Sequence, residues 1–306
     1  MRLLTECAIL ATSRETRHAK NFALPNRSRP AQTKPMNHTF VILTVLAYLL
    51  SLSLYVQFLY TGKEFTGRLA TLLMFLGLGT HYLALLISAR ASHTVPYHDL
   101  QGAMSLFGWL LAVTYLCVEI YHRQRTVGAF VMPVILIFFF IANFLPARPH
   151  ATAPIHGVVF ALHVTLSILA YAAFALSCVL SLIYLGEERL LRIRRLGEVV
   201  WRLPPLELLE RMSHTSVMVG LVTILVGTSL GFIAVDRNIA EHYSYFDPKY
   251  IFTLFVLLLY IVYFRLARTA AWRGARASKL CVFNFVLVVV NFWVVNLFFS
   301  QHHRYF

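Results

Sequence analysis

The feature that most constrains this chain is the layout of its apolar residues, which fall in eight blocks of about twenty separated mostly by short polar segments. The blocks run from 39 to 60, 68 to 89, 102 to 121, 127 to 145, 157 to 185, 214 to 235, 250 to 267 and 280 to 299. A soluble helix shows its apolar residues as a stripe of 3.6-residue period, not as a continuous run. Crossing a hydrocarbon core of about 30 Å takes roughly 20 apolar residues, with the backbone polar groups satisfied inside the helix. The sequence therefore predicts an all-α, polytopic integral membrane protein of about eight transmembrane helices. With 58% hydrophobic and 13% charged residues, water is excluded as the solvent for most of it.

The net charge of +14 would suggest a nucleic-acid partner in a soluble protein. Here the basic residues sit in the short loops, where they set topology, so membrane lipid and not nucleic acid is the partner they imply. The odd-numbered loops hold fifteen: Lys63, Arg68, Arg123, Arg125, Arg189, Arg192, Arg194, Arg195, Arg202, Arg211, Arg265, Arg268, Arg273, Arg276 and Lys279. The other side, from Met36 onward, holds five: Arg90, Arg148, Arg237, Lys249 and Arg304. The positive-inside rule then places the odd loops in the cytoplasm and both chain ends outside, as in a bacterial inner membrane. Residues 1–35 run against this rule, because Arg2, Arg14, Arg17, Lys20, Arg27, Arg29 and Lys34 would all be exported. They also lack the apolar run of a signal peptide, so the expected division is a basic extension at 1–35, with Met36 as the functional start, and a transmembrane domain at 36–306.

Cys7, Cys117, Cys178 and Cys281 are isolated, with no C-x-x-C or C-x-x-C-H, which excludes covalent haem attachment and a thioredoxin-type site. Within residues 186–212, Leu190, Ile193, Leu196, Val200 and Leu203 share one helical face with arginines opposite. That pattern predicts an amphipathic helix in the cytoplasmic interface, stopped by Pro204 and Pro205. The fifth block is long: 29 residues reach about 43 Å, so its first turns stand clear of the hydrocarbon and His163 sits at the outer interface.

Histidine is distributed unevenly. Of 13, His93, His98, His150, His156, His163, His242, His302 and His303 fall on or near the outer side, whereas only His122 and His214 lie at the inner side. A lone loop histidine is ordinarily a solvated surface residue. Neutral imidazole is also a donor to iron, and His163 and His303 lie at one membrane depth on two helices, placed to clamp a flat porphyrin. His81 lies inside the second block, where an ionisable group is costly and faces the bundle interior, either as a functional group or as a satisfied hydrogen-bonding one. His214 opens the sixth block within ERMSHTS and reads equally as a cofactor-binding candidate, ranked below His81, or as a helix-end residue.

Five stretches resemble the membrane cytochrome c assembly proteins of the CcsA/HemX/YpjD type. HYLALLISAR, from His81, resembles the family's H-x-x-x-L-x-x-R; HVTLSILAYAAFALSCVLSLIYL, from His163, resembles its H-V-S-x-x-x-x-x-Y-A-A helix. DPKYIF, from Asp247, and WRGAR, from Trp272, are similar to W-D-P-K-E-T-W and G-W-x-G; VNLFFSQHHRY, Val295 to Tyr305, is similar to V-N-L-L-G-x-G-L-H-S-Y and aligns the family histidine with His303. The resemblance implies a haem-binding protein of cytochrome c-type biogenesis. It would use His163 and His303 as axial ligands and haem as cofactor or cargo, with apocytochrome c and an assembly protein as partners. The remnant outer loop from Tyr243 to Lys249, with Tyr245 and Asp247, would cover one porphyrin face, while Lys249 or Arg304 meets a propionate.

The sequence also departs from the family. Three tryptophan positions of its outer loop are Ala240, Ser244 and Phe246 here, and the histidine that fuller members carry before the W-x-G tryptophan is Arg265. The chain is closer to the smaller HemX/YpjD-like branch. A haem-free accessory or regulatory subunit of the same fold is the alternative, and a small-solute transporter built on His81 and Glu119 is a third. No nucleophile or acid–base pair is evident, so the expectation is not an enzyme but a protein that positions its ligand.

Overall fold

The computed structural model describes residues 38–92, 100–144, 157–194, 197, 200–234 and 248–298. The 1–35 extension therefore lies outside the described residues. So do His93, His98, His150, His156, His242, His302 and His303, together with Tyr243, Tyr245 and Asp247.

Among the described residues the structure is all-helical. The order is α1 (His38–Thr61), α2 (Glu64–Ser92), α3 (Leu100–His122), α4 (Gly128–Phe144), α5 (Val158–Arg192), α6 (Leu206–Ala234), α7 (Pro248–Leu266) and α8 (Ala275–Phe298), with a 3-10 turn at Val200–Arg202. Each of the eight apolar blocks has become one helix. Five helices are long and apolar enough to cross a membrane, and Gly128–Phe144 and Ile251–Leu266 are shorter apolar helices.

Among its described residues, the segment 186–212 begins as a continuation of α5 and not as the separate interfacial helix that its periodicity suggests. GEERLLR extends α5 to Arg192 in one unbroken helix of 35 residues, about 52 Å long. Arg194 then takes a positive φ of 54°, and α6 starts at Leu206, directly after the two prolines. The physical reason is that helix propagation continues where nothing interrupts the hydrogen-bond ladder. Leu, Glu and Arg are good helix formers, and the Arg192–Glu188 pair at 2.7 Å supports the last turns. Pro205 caps the next helix, its carbonyl accepting from the Leu208 and Leu209 amides.

The packing is inside out relative to a soluble protein. Ile42, Leu46, Leu50, Leu72, Leu76, Val222 and Leu258 are exposed, whereas Thr44, Ser51, His81, Glu119, Ser177, Ser213, Ser216 and Asn284 are buried. Apolar lipid in contact with the surface and polar groups paired in the interior explain this distribution. Two apolar cores share α5. Leu176 and Leu180 join the core with α1 to α4, and Ala170 and Phe174 join the core with α6, α7 and α8. In the second core the Phe174 and Tyr260 rings stack with centroids 3.7 Å apart.

The first core is tied by Glu119, 2% exposed on α3. Its carboxylate accepts from Tyr55 Oη at 2.6 Å and Thr71 Oγ1 at 2.5 Å, and Arg125 Nε lies 3.9 Å away. One carboxylate thus joins α1, α2 and the α3–α4 turn. Glu119→Ala leaves two hydroxyls without this acceptor and is expected to cost about 3 kcal/mol. Thermal unfolding in mild detergent should show a clear loss for Glu119→Ala and a smaller one for Glu119→Gln; an unchanged midpoint for Glu119→Ala would remove this role.

Candidate functional site

Helices α5 and α6 pack along a seam whose residues recur alternately every four and three positions. On α5 these are His163, Ser167, Ala170, Phe174, Ser177 and Ser181; on α6 they are Ser213, Val217, Gly220, Ile224, Gly227 and Gly231. The register is antiparallel and constant. Ser213 Oγ meets Ser177 Oγ at 2.8 Å and Ser181 Oγ at 3.2 Å, and the Phe174 ring fills the space beside Gly220. Ser167 lies against Gly227, and the His163 ring lies against Gly231. Without a hydrophobic drive between helices in lipid, small residues permit the close backbone approach that van der Waals packing requires.

His163 is half-buried at this seam. Its Nδ1 is 2.6 Å from the Gly227 carbonyl oxygen. A carbonyl can only accept, so Nδ1 carries a proton and donates it, and of the two neutral tautomers the contact selects the one whose lone pair is on Nε2. A Cβ at Gly231 would lie 2.7 Å from the ring, so this glycine is required for the ring to occupy its position. The imidazole is therefore fixed in orientation and tautomer by one backbone carbonyl and one bare backbone.

Among the described residues, the structure does not bring His81, His163 and His214 into one site. His81, fully buried, places Nδ1 3.3 Å from Tyr48 Oη and Nε2 3.0 Å from Ser105 Oγ, with the Phe139 ring edge-on at 4.8 Å. Both of its nitrogens are engaged between α1, α2 and α3, away from the seam that holds His163. His214 packs edge-on against Phe264 with centroids 4.6 Å apart, and Arg268 covers the same ring at 4.2 Å. Along α6 it is 13 residues from Gly227, about 20 Å. It belongs to the basic end of the bundle and His163 to the opposite end. His303, Tyr245 and Asp247, the other site residues implied by resemblance, lie outside the described residues.

Two features went unread in the sequence. The glycines of α6 carried a signal, since Gly220, Gly227 and Gly231 fall on one helical face. The WRGAR stretch is a turn clamp: Gly274, at φ +76°, donates its amide to Glu210 Oε1 at 3.2 Å, and Arg273 Nε approaches the same oxygen at 3.7 Å. A Cβ there would meet Tyr184 Oη at 2.7 Å. This fixes the α7–α8 turn to α6.

Selective 15N-histidine labelling checks the tautomer. His163 is expected to give the Nδ1–H form in the wild type and to lose that single signature in Gly231→Ala, while His81 stays unchanged. An Nε2–H signal for His163 in the wild type would refute the assignment.

The profile of the family described as Cytochrome C assembly protein matches residues 97–303, a span that contains His163 and His214 and ends at His303. Protein HemX of Bacillus subtilis (strain 168) is 25% identical over 266 residues, covering 85% of this chain and 95% of that protein. Protein HemX of Brevibacillus brevis is 24% identical, covering 82% and 92%. The cytochrome c biogenesis protein CcsA of Mesostigma viride is 22% identical over 250 residues, covering 73% and 82%. This polytopic membrane chain belongs to the cytochrome c assembly protein family.

Proposed function

We propose that the chain is a haem-handling protein of cytochrome c-type biogenesis in a bacterial inner membrane. Its basic end faces the cytoplasm, and His163 presents Nε2 toward haem at the opposite face. The observation that carries this reading is the Nδ1–H bond from His163 to the Gly227 carbonyl. A neutral imidazole whose second nitrogen is held by a carbonyl is the donor form that axial ligation uses, and such a partner raises the basicity of the free nitrogen. The names of the relatives, HemX and cytochrome c biogenesis protein CcsA, support the same assignment.

Within this reading His303 would supply the second imidazole, and Tyr245 and Asp247 would belong to the loop that covers the haem. Haem would bring the iron, whose redox state the axial ligands tune. The protein's own contribution is to fix one imidazole at a close-packed seam of small residues and present the ligand to apocytochrome c or an assembly partner, without acid–base catalysis. A haem-free accessory role is the second reading. It is favoured by the full engagement of His81 and by Arg265 at the position where the resemblance expects another histidine.

Purification from a haem-replete host followed by a reduced-minus-oxidised spectrum decides between them. Split α and β bands are expected in the wild type, lost in His163→Ala and weakened in affinity by about tenfold or more in Gly231→Ala, as second-partner changes do. His214→Ala should keep the bands. Bands that persist in His163→Ala, or a colourless wild type that still restores cytochrome c to a deletion strain, would overturn the haem reading.

A further inference from the structure

At the basic end, three connections meet around a cavity of about 290 Å³: the α1–α2 turn, the α3–α4 turn and the 3-10 turn before α6. Arg123, Arg125 and Arg202 line it, together with Gln124, Thr126 and Glu64. Three guanidinium groups face one carboxylate, and that carboxylate is held by Arg125 at 2.8 Å. Arg125 Nε is also 3.9 Å from Glu119, and Arg202 Nη1 donates to the Leu59 carbonyl at 3.4 Å. These contacts fix two guanidinium groups in place and leave an excess of positive charge. Thr126 is 7% exposed, and its Oγ1 has no hydrogen-bond partner among the described residues. Thr126 lines the cavity while its buried hydroxyl lacks an acceptor, and an anionic oxygen would provide one on rotation of the side chain. The cavity also adjoins the residues that open α4, a 17-residue helix whose N-terminal dipole favours negative charge.

The depth of this cavity narrows the anion. Tyr60, Phe65 and Tyr121 are 60%, 78% and 77% exposed, on the helical turns that border it. Exposed aromatic side chains at the ends of apolar helices mark the headgroup level of a bilayer. Its volume lies near the lower edge of the roughly 300–1,000 Å³ of sites for drug-sized ligands, which suits a headgroup and not a macrocycle.

We propose that this cavity is a phosphate-binding site for an anionic phospholipid headgroup, with Arg123, Arg125 and Arg202 binding the phosphate and Thr126 donating to one of its oxygens. The site is separate from the His163 seam and does not depend on the haem reading.

The full chain, purified in mild detergent, tests this by native mass spectrometry and by thermal unfolding with added phosphatidylglycerol, phosphatidylcholine or inorganic phosphate. Phosphatidylglycerol is expected to give a one-to-one adduct and raise the midpoint, and phosphatidylcholine to do neither. Arg123→Gln with Arg202→Gln should weaken the interaction by about a hundredfold, tenfold for each charge-assisted bond. Thr126→Val, which keeps every charge, should weaken it less and carries the test if the double variant does not fold. Lys279→Gln, which removes a cation at the same end outside the cavity, should leave binding unchanged. Stabilisation and competition by inorganic phosphate would support the site and assign it to a soluble phosphate. No adduct in the wild type, or equal weakening by Lys279→Gln, would overturn it.

Discussion

The close approach of α5 and α6 is the constraint on which the rest of the bundle depends. α5 belongs to both apolar cores, so a change in its position relative to α6 would alter the packing of α1 to α4 and of α7 and α8 together. The seam that sets this position has small or polar groups on at least one side at most of its levels: Ser213, Gly220, Gly227 and Gly231 on α6 meet Ser177, Phe174, Ser167 and His163 on α5. In lipid such a seam is held by contact and by a few interhelical hydrogen bonds, each worth about 1 kcal/mol. Its specificity is steric. Large α5 side chains fit only where α6 has none, which fixes both register and rotation.

Two histidines show how environment separates structure from chemistry. His81 is surrounded by hydroxyl partners that can donate or accept, so either tautomer is satisfied and neither nitrogen is left free. His163 faces a carbonyl that can only accept, which removes the choice of tautomer and directs the lone pair away from the seam. The burial of His81 serves cohesion between α1, α2 and α3, as does the Tyr55–Glu119–Thr71 group one core layer away. An imidazole of one defined tautomer at the end of a helix pair is instead a preorganised donor, with its orienting bond already made.

The eight helices were legible because the lipid requirement acts on each block by itself: length and apolarity decide a span without reference to its neighbours. The segment after Leu185 was not legible in the same way. Its leucines and arginines are periodic in an interfacial helix and in a continuation of α5 alike, and only the uninterrupted hydrogen-bond ladder to Arg192 distinguishes the two. The place of His163 in the first turns of a long helix was legible, because the length of its block sets where that helix begins. The glycine behind it was not, since a missing side chain acquires meaning only from the ring that fills its place. The WRGAR turn was hidden for a similar reason: Gly274 matters through Glu210 and Tyr184, which are distant in sequence.

One contact between α5 and α8 sets the level of His163 relative to the end of α8. Ser177 on α5 and Cys281 on α8 are in contact, Oγ to Sγ 2.9 Å, so the two helices share a level there. From Ser177 to His163 is 14 residues, about 21 Å along α5; from Cys281 to the end of α8 at Phe298 is 17 residues, about 25 Å in the same direction. Helix α8 therefore ends within about one helical turn of the level of His163. The Cys281–Ser177 contact is the fixed point from which this common level follows.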